Sequence, residues 1–287
     1  MKIALGTVQF GINYGVANTI GQVDRLDAKN ILAYAKISGV DTIDTAISYG
    51  SSELCLGEIG LGGFKVVTKL PEIPDGYGNL RIWVESHLDE SLNTLGVESL
   101  YGLLLHRPNQ LFDTDKKNLW SILQQFKSDG LVKKIGFSIY SPDELNMLWD
   151  SFRPDLVQAP YNIIDRRLET SGWLQRMSET NVEVHIRSIF LQGLLLMSKA
   201  SRPEKFNKWI NLWNKWDKWL EENNIPSVQA CVSFALSDNR ISRIVVGVDS
   251  LNQFKDIIWA ANKTSHFPES FYITDPMLLN PSKWSSF

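Results

Sequence analysis

Short apolar runs and longer amphipathic segments alternate along this chain from its first residues onward. The runs that read as strands are "KIALG" (2–6), "VDTID" (40–44), "KVVTK" (65–69), "SLYGLLLH" (99–106), "VKKIGFS" (132–138), "PDLVQA" (154–159), "VEVHIRS" (182–188) and "RIVVG" (243–247). Between them, helical periodicity appears near 26–39, 51–61, 79–95, 115–129, 142–151, 168–179, 226–237 and 250–262. Nearly continuous apolar strands separated by helices predict a parallel sheet covered on both faces. Eight such pairs match the count of a closed (β/α)8 TIM barrel. An open doubly wound sheet would carry a G-x-G-x-x-G turn after its first strand, and that turn is absent. No linker or low-complexity tract divides residues 1–287, which read as one domain ending in a C-terminal tail.

One segment exceeds the repeat. After strand seven, Trp209, Trp213, Trp216 and Trp219 fall at helical spacing with Lys and Asn between them. A membrane-surface helix or a substrate wall would use such a stripe, but the favoured expectation is an extra helix packing its aromatic side on the barrel.

Composition narrows the partners. The 287 residues carry a net charge of -3 with no basic block, which argues against nucleic acid or a membrane surface as the main partner. Cys55 and Cys231 show neither metal nor redox spacing, so a reducing compartment is expected. The opening "MKIALGTVQFG" lacks a sustained apolar core, and no stretch approaches about 18 uninterrupted apolar residues. A cytoplasmic protein is the expectation.

Barrel active sites lie at the C-terminal ends of the strands, so the polar residues there are the candidates for chemistry. Strand two ends on Asp44, with Tyr49 in the loop beyond; strand three ends on Lys69 and strand four on His106. Singly, each has an ordinary alternative: a helix cap, a rim charge or a hydrogen-bonded core histidine. At three successive strand ends, their coincidence is less readily accidental. An ammonium beside a phenol favours the phenolate and eases proton transfer. A lysine in such a mouth needs a counter-charge, which Asp44 can supply. His106 can donate to a substrate oxygen on which charge develops. The set suits protonation of a carbonyl oxygen while hydride reaches carbon, and hydride requires a cofactor.

Asp44, Tyr49, Lys69 and His106, in that order, resemble the tetrad of the aldo-keto reductases. "LGTVQFG", "DTAISYG", "LLLHRP", "LVQAPYN", "RSIFLQGLL" and "VVGVDSLNQFKD" resemble further family segments along nearly the whole chain. The resemblance implies a reductase of aldehydes or ketones, sugar-derived carbonyls among them, that uses NADPH, with NADH as the second candidate. By position, Thr7, Ser138 and Gln158 would surround the nicotinamide. Ser188, Phe190 and Gly193 would contact the pyrophosphate, and Gly247, Asp249, Ser250, Gln253 and Asp256 the adenosine half. Loops after strands seven and eight commonly form the phosphate site of these barrels, which agrees. Gly193 and Gly247 have an ordinary alternative as turn residues, and Ser250 as a helix cap.

The chain departs from the family pattern at the nicotinamide. Strand five usually ends G-x-S-N, but Ile139 replaces the asparagine that holds the carboxamide. On strand seven, Arg187 stands where many members place a stacking aromatic ring. A guanidinium can also stack on a flat ring, or it can bind an anionic or hydroxyl-rich substrate. Glu183 and His185 share its face, so pairing inside the barrel is a third use, and His185 reads as structural. At strand eight, Lys255 is the nearest cation and Asp249 would repel a 2′-phosphate facing it, so weak discrimination against NADH is expected. Phe10, Tyr14, the tryptophans, Trp284 and Phe287 are further candidates to shape a pocket. A nicotinamide-binding sensor with little turnover is the competing reading, and a phosphate-binding isomerase or lyase using Lys69 is a third.

Overall fold

The computed structural model describes residues 1–263 and 271–286. Eight parallel strands pair in chain order and close into a barrel. They are β1 (Ile3–Gly6), β2 (Thr42–Asp44), β3 (Lys65–Leu70), β4 (Leu100–Leu105), β5 (Val132–Ser138), β6 (Leu156–Pro160), β7 (Glu183–Arg187) and β8 (Arg243–Gly247). Each lies within two residues of its expected bounds. Closure is made by β8 on β1, with Gly6 opposite both Gly247 and Asp44.

The surrounding helices are α1 (Val8–Gly11), α2 (Arg25–Ile37), α3 (Ser52–Ile59), α4 (Leu80–Leu95), α5 (Leu119–Ser128) and α6 (Asp143–Leu148). They continue as α7 (Arg167–Thr170), α8 (Trp173–Glu179), α9 (Ile210–Asn223), α10 (Ser227–Ser237), α11 (Leu251–Ala260) and α12 (Pro276–Leu279). Side-chain caps set several starts: Asp24 accepts from the Asp27 N–H at 2.8 Å and Asn79 from the Ile82 N–H at 3.1 Å. The single helix expected over 168–179 is two, because Gly172 adopts φ +81° between α7 and α8. The segment expected to be helical from 115 begins with a 3-10 turn, and α5 starts only at Leu119. The short α1, directly after β1, has too few residues to show a period.

One apolar core fills the space between the outer face of the sheet and the helices. The barrel interior is layered differently. Val67, Leu104 and Leu156 form a small apolar layer at mid-height, against which Tyr101 packs. Below it lies an ionic layer centred on Glu183, which pairs with Lys134, meets His185 Nε2 at 2.8 Å and accepts from Tyr101 Oη at 2.8 Å. Beside it, Asp41 accepts from Lys65 at 2.8 Å and Arg243 at 3.2 Å. Above the apolar layer sits the candidate site.

The tryptophan stripe packs inward. Trp213 and Trp216 are buried, and their indole N–H groups donate to the carbonyls of Phe206 and Leu195 at 2.9 and 3.1 Å. Such donors let bulky rings enter a core without an unmet polar group. Among the described residues no helix is long and apolar enough to cross a membrane.

Candidate active site

The loop between β2 and α3 is held by hydroxyls. Thr7 Oγ1 donates to the Asp44 carbonyl at 3.1 Å and lies 2.8 Å from Ser52 Oγ, which also reaches Thr45 Oγ1 at 3.1 Å. This knot ties the ends of β1 and β2 to the start of α3. The chain between must pass close to α1: a Cβ on Gly11 would stand 1.7 Å from the Tyr49 carbonyl oxygen. "DTAISYGSS" is therefore a fastened span that carries the phenol of Tyr49 to the mouth.

Lys69 has no solvent exposure and Asp44 has 3%. The ammonium donates to Asp44 Oδ1 at 2.7 Å and to the Thr45 carbonyl at 2.8 Å. Asp44 Oδ2 accepts from Gln158 Nε2 at 2.6 Å, so both carboxylate oxygens are engaged. Burial pushes the Lys69 ammonium toward deprotonation, but the Asp44 carboxylate more than offsets it and the group stays protonated. Lys69 Nζ sits 5.1 Å from the centre of the Tyr49 ring. His106 stands edge-on to that ring, centroids 5.9 Å apart, with Nδ1 3.3 Å from Ser48 Oγ. Burial, with Lys69, Arg187 and Arg107 nearby, lowers the His106 pKa to about 3. Its imidazole is thus neutral at pH 7, suited to donating a hydrogen bond rather than a proton.

Asp44, Tyr49 and His106 border one end of a cavity of about 560 Å³ that opens at the C-terminal end of the barrel and runs toward β8, and Lys69 lies buried beneath them. The sequence carries the same pattern along its length: the family model of the aldo/keto reductase family matches residues 2–272. The chain belongs to the aldo/keto reductase family. It is an NAD(P)H-dependent oxidoreductase. It is 24% identical over 291 residues to an L-glyceraldehyde 3-phosphate reductase of Escherichia coli (strain K12), covering 88% of this chain and 84% of that protein. An NADH-specific methylglyoxal reductase from the same strain is 26% identical over 296 residues, covering 91% and 90%. Among solved structures, the holo form of an aldo-keto reductase from Bacillus halodurans superposes with a TM-score of 0.71 at 19% identity, covering 92% and 88%.

The aldo-keto reductase cavity is bordered by Thr7, Gln158, Arg187, Ser188, Phe190 and Gly193. Gly247, Asp249, Gln253 and Asp256 border it toward β8. Ser138 and Ser250 do not. Ser138 is fully buried beneath the wall with its hydroxyl unpartnered, and Ser250 Oγ caps α11 by accepting from the Gln253 N–H at 3.3 Å. Gln158 spends its amide N–H on Asp44, leaving a buried Oε1 that meets no protein donor. That open acceptor fits the NH2 of a carboxamide. Ser188, Leu191, Gln192 and Gly193 all have φ between +48° and +87°. They turn the loop after β7 tightly, so that Ser188, Phe190, Gln192 and Gly193 all border the cavity. The donors and acceptors present fit a nicotinamide dinucleotide.

Several expectations are corrected. Arg187 does not pair with Glu183, whose oxygens are taken by Lys134, His185 and Tyr101 from the layer below. Instead, Arg187 Nη2 donates to the Ile139 carbonyl at 3.0 Å and Nη1 to Ser188 Oγ at 3.2 Å. The two departures from the family pattern therefore touch. Phe10 is buried away from the cavity, as are Trp213 and Trp216, while Tyr14 and Tyr49 border it. Trp284 is buried against Phe206, with ring centroids 4.8 Å apart, and the tail meets the cavity through Pro281 and Ser282 instead. Phe287 lies outside the described residues.

Sequence reasoning passed over Gln9, Tyr140 and Gln192, which also border the cavity. Gln9 occupies the room left by Gly247, where a Cβ would stand 2.6 Å from Gln9 Oε1. Nothing local marks that contact, because it is made between β8 and α1. Tyr140 had a signal: it directly follows the strand-five end where the pattern breaks.

Proposed function

We propose that this chain reduces an aldehyde or ketone to an alcohol with NAD(P)H, with Tyr49 as the proton donor. The observation that carries the reading is the fully buried Lys69–Asp44 pair set beneath Tyr49 and a neutral His106 at the open end of the barrel. The reduced cofactor supplies the hydride. Tyr49 gives its hydroxyl proton to the substrate oxygen, and the adjacent ammonium favours the phenolate left behind. Asp44 keeps that ammonium charged and fixed, and Gln158 fixes Asp44. His106 donates a hydrogen bond to the oxygen as charge builds on it.

Thr7, Gln158, Ser188, Phe190, Gly193, Gly247, Asp249, Gln253 and Asp256 would form the cofactor groove in this reading, with Ser138 buried beside Gln158 in its wall and Ser250 shaping the start of α11. Both NADPH and NADH are accepted. Two features support weak discrimination: the β8 end is bordered by Asp249 and Asp256, and Lys255 lies away, over the Tyr34 ring at 5.8 Å. The similarity to an NADH-specific reductase supports the same view. The substrate is a small carbonyl compound, a class to which methylglyoxal and glyceraldehyde 3-phosphate, named for the relatives, both belong. Cys55 and Cys231 are buried and free, which supports a reducing compartment such as the cytoplasm.

The test is cofactor consumption with a panel of aldehydes, comparing wild type with Tyr49→Phe. The variant is expected to lose about 10²–10⁴-fold in kcat while binding cofactor normally. Wild-type turnover by Tyr49→Phe would remove it from the acid role. Tight cofactor binding with no carbonyl reduced would favour the sensor reading.

A further inference from the structure

Arg187 is the one cationic side chain among the described residues bordering the cavity, since Lys69 is sealed beneath it by Asp44. No carboxylate among the described residues forms an ion pair with it. Its guanidinium is nevertheless held in place. Nη2 is fixed to the Ile139 carbonyl and Nη1 to Ser188 Oγ, and the guanidinium carbon lies 4.8 Å from the centre of the Tyr140 ring. Arg107 lies against the same ring at 4.8 Å, so Tyr140 carries two guanidinium groups. Its contacts with the Ile139 carbonyl and the Tyr140 ring, both just after β5, set its charge on the β5 side of the barrel mouth rather than at β8. A fixed, half-buried guanidinium without a counter-ion is costly alone and gains most from an anion that completes its hydrogen bonds.

We infer that Arg187, backed by Tyr140, is an anion-binding subsite for the substrate, so that carbonyl compounds bearing a carboxylate or phosphate are preferred over neutral ones. The inference rests on the proposed reductase activity, because it takes Tyr49 and His106 as the groups that meet the carbonyl. A guanidinium fork matches either anion in planar, paired hydrogen bonds, whereas a lysine there would act as a point charge.

Matched pairs test it: succinic semialdehyde against butanal for a carboxylate, and glycolaldehyde phosphate against glycolaldehyde for a phosphate. In the wild type the anionic member of at least one pair should have a kcat/KM about tenfold to hundredfold higher, as expected for a charge-assisted hydrogen bond. Which pair shows it identifies the anion. The preference should weaken as ionic strength rises. Arg187→Met should bring the ratio close to one, mainly through KM for the anionic member, and Arg187→Lys should retain part of it. Cofactor binding, followed by fluorescence quenching, should stay at the wild-type value in both variants. Equal use of both members of each pair by the wild type would overturn the subsite and leave the reductase reading standing. A collapse of cofactor binding in Arg187→Met would also overturn it, by assigning Arg187 to the nicotinamide. Failure to reduce any of the four compounds, or any aldehyde of the wider panel, would overturn the reductase reading and the subsite with it.

Discussion

The two ends of the barrel interior carry similar side chains in different states. At the N-terminal end, Glu183 is met by Lys134, His185 and Tyr101, and Asp41 by Lys65 and Arg243. At the C-terminal end, Lys69 and Asp44 are equally well partnered, but the groups they support are left open. Tyr49, His106, the Gln158 carbonyl and Arg187 all face a cavity. The apolar layer of Val67, Leu104 and Leu156 separates the two. Ionisable residues inside a barrel are thus no sign of chemistry by themselves. What distinguishes the end with the candidate site is unspent hydrogen-bonding capacity beside a space large enough for ligands.

Removing one charge from each end gives the sharpest contrast. Lys69→Met strands the buried Asp44 carboxylate and removes the charge beneath Tyr49. It should lower kcat by at least about 10²–10⁴-fold and cost about 3–5 kcal/mol of stability, read by steady-state kinetics and urea unfolding. Glu183→Gln should cost about 3 kcal/mol because it leaves Lys134 without its counter-charge. Its kcat should stay near wild type, since the apolar layer insulates it. A large loss of turnover in Glu183→Gln would show that the two ends are coupled.

Acid separates the ends more finely. Between the ordinary histidine value of 6.5 and the lowered value of about 3, the unfolded chain takes up a proton at His106 that the folded site refuses. This contribution to stability is complete above pH 6.5 and is lost as pH falls toward 3. Urea unfolding at pH 7 and pH 5 should therefore show a larger loss for wild type than for His106→Gln. Glu183, whose carboxyl is held low against burial by His185 and Lys134, loses its contribution only in stronger acid. An equal loss in both proteins over this range would contradict the neutral state of His106. The smallest expected effect lies at β8. Asp249→Asn removes a half-buried carboxyl from the proposed cofactor groove and should raise NADPH efficiency relative to NADH by about two- to fivefold. No change in that ratio would mean that Asp249 faces away from the ribose.

Much of this molecule is written in its periodicity. All eight strands lie where apolar runs place them, because a parallel strand buried on both faces cannot hide its composition. The tetrad was legible for a related reason: each member ends a recognisable strand or follows one closely. The helices were less so, since their breaks depend on single residues such as Gly172.

By itself, then, the sequence determined the barrel, its chain order, the family and the place of Asp44, Tyr49, Lys69 and His106 toward the C-terminal end of the barrel, all of which depend on local pattern and strand position. Only the tertiary structure decided which polar groups are spent and which are free. Gln158 gives its donor to Asp44, 114 positions away, and Glu183 turns to Lys134 rather than Arg187. Arg187 in turn reaches the Ile139 carbonyl, which joins the two breaks in the family pattern at one point. The physical reason is that hydrogen bonds inside a closed barrel run across it, between strands distant in sequence, and the partner of a buried charge depends on layer as well as face.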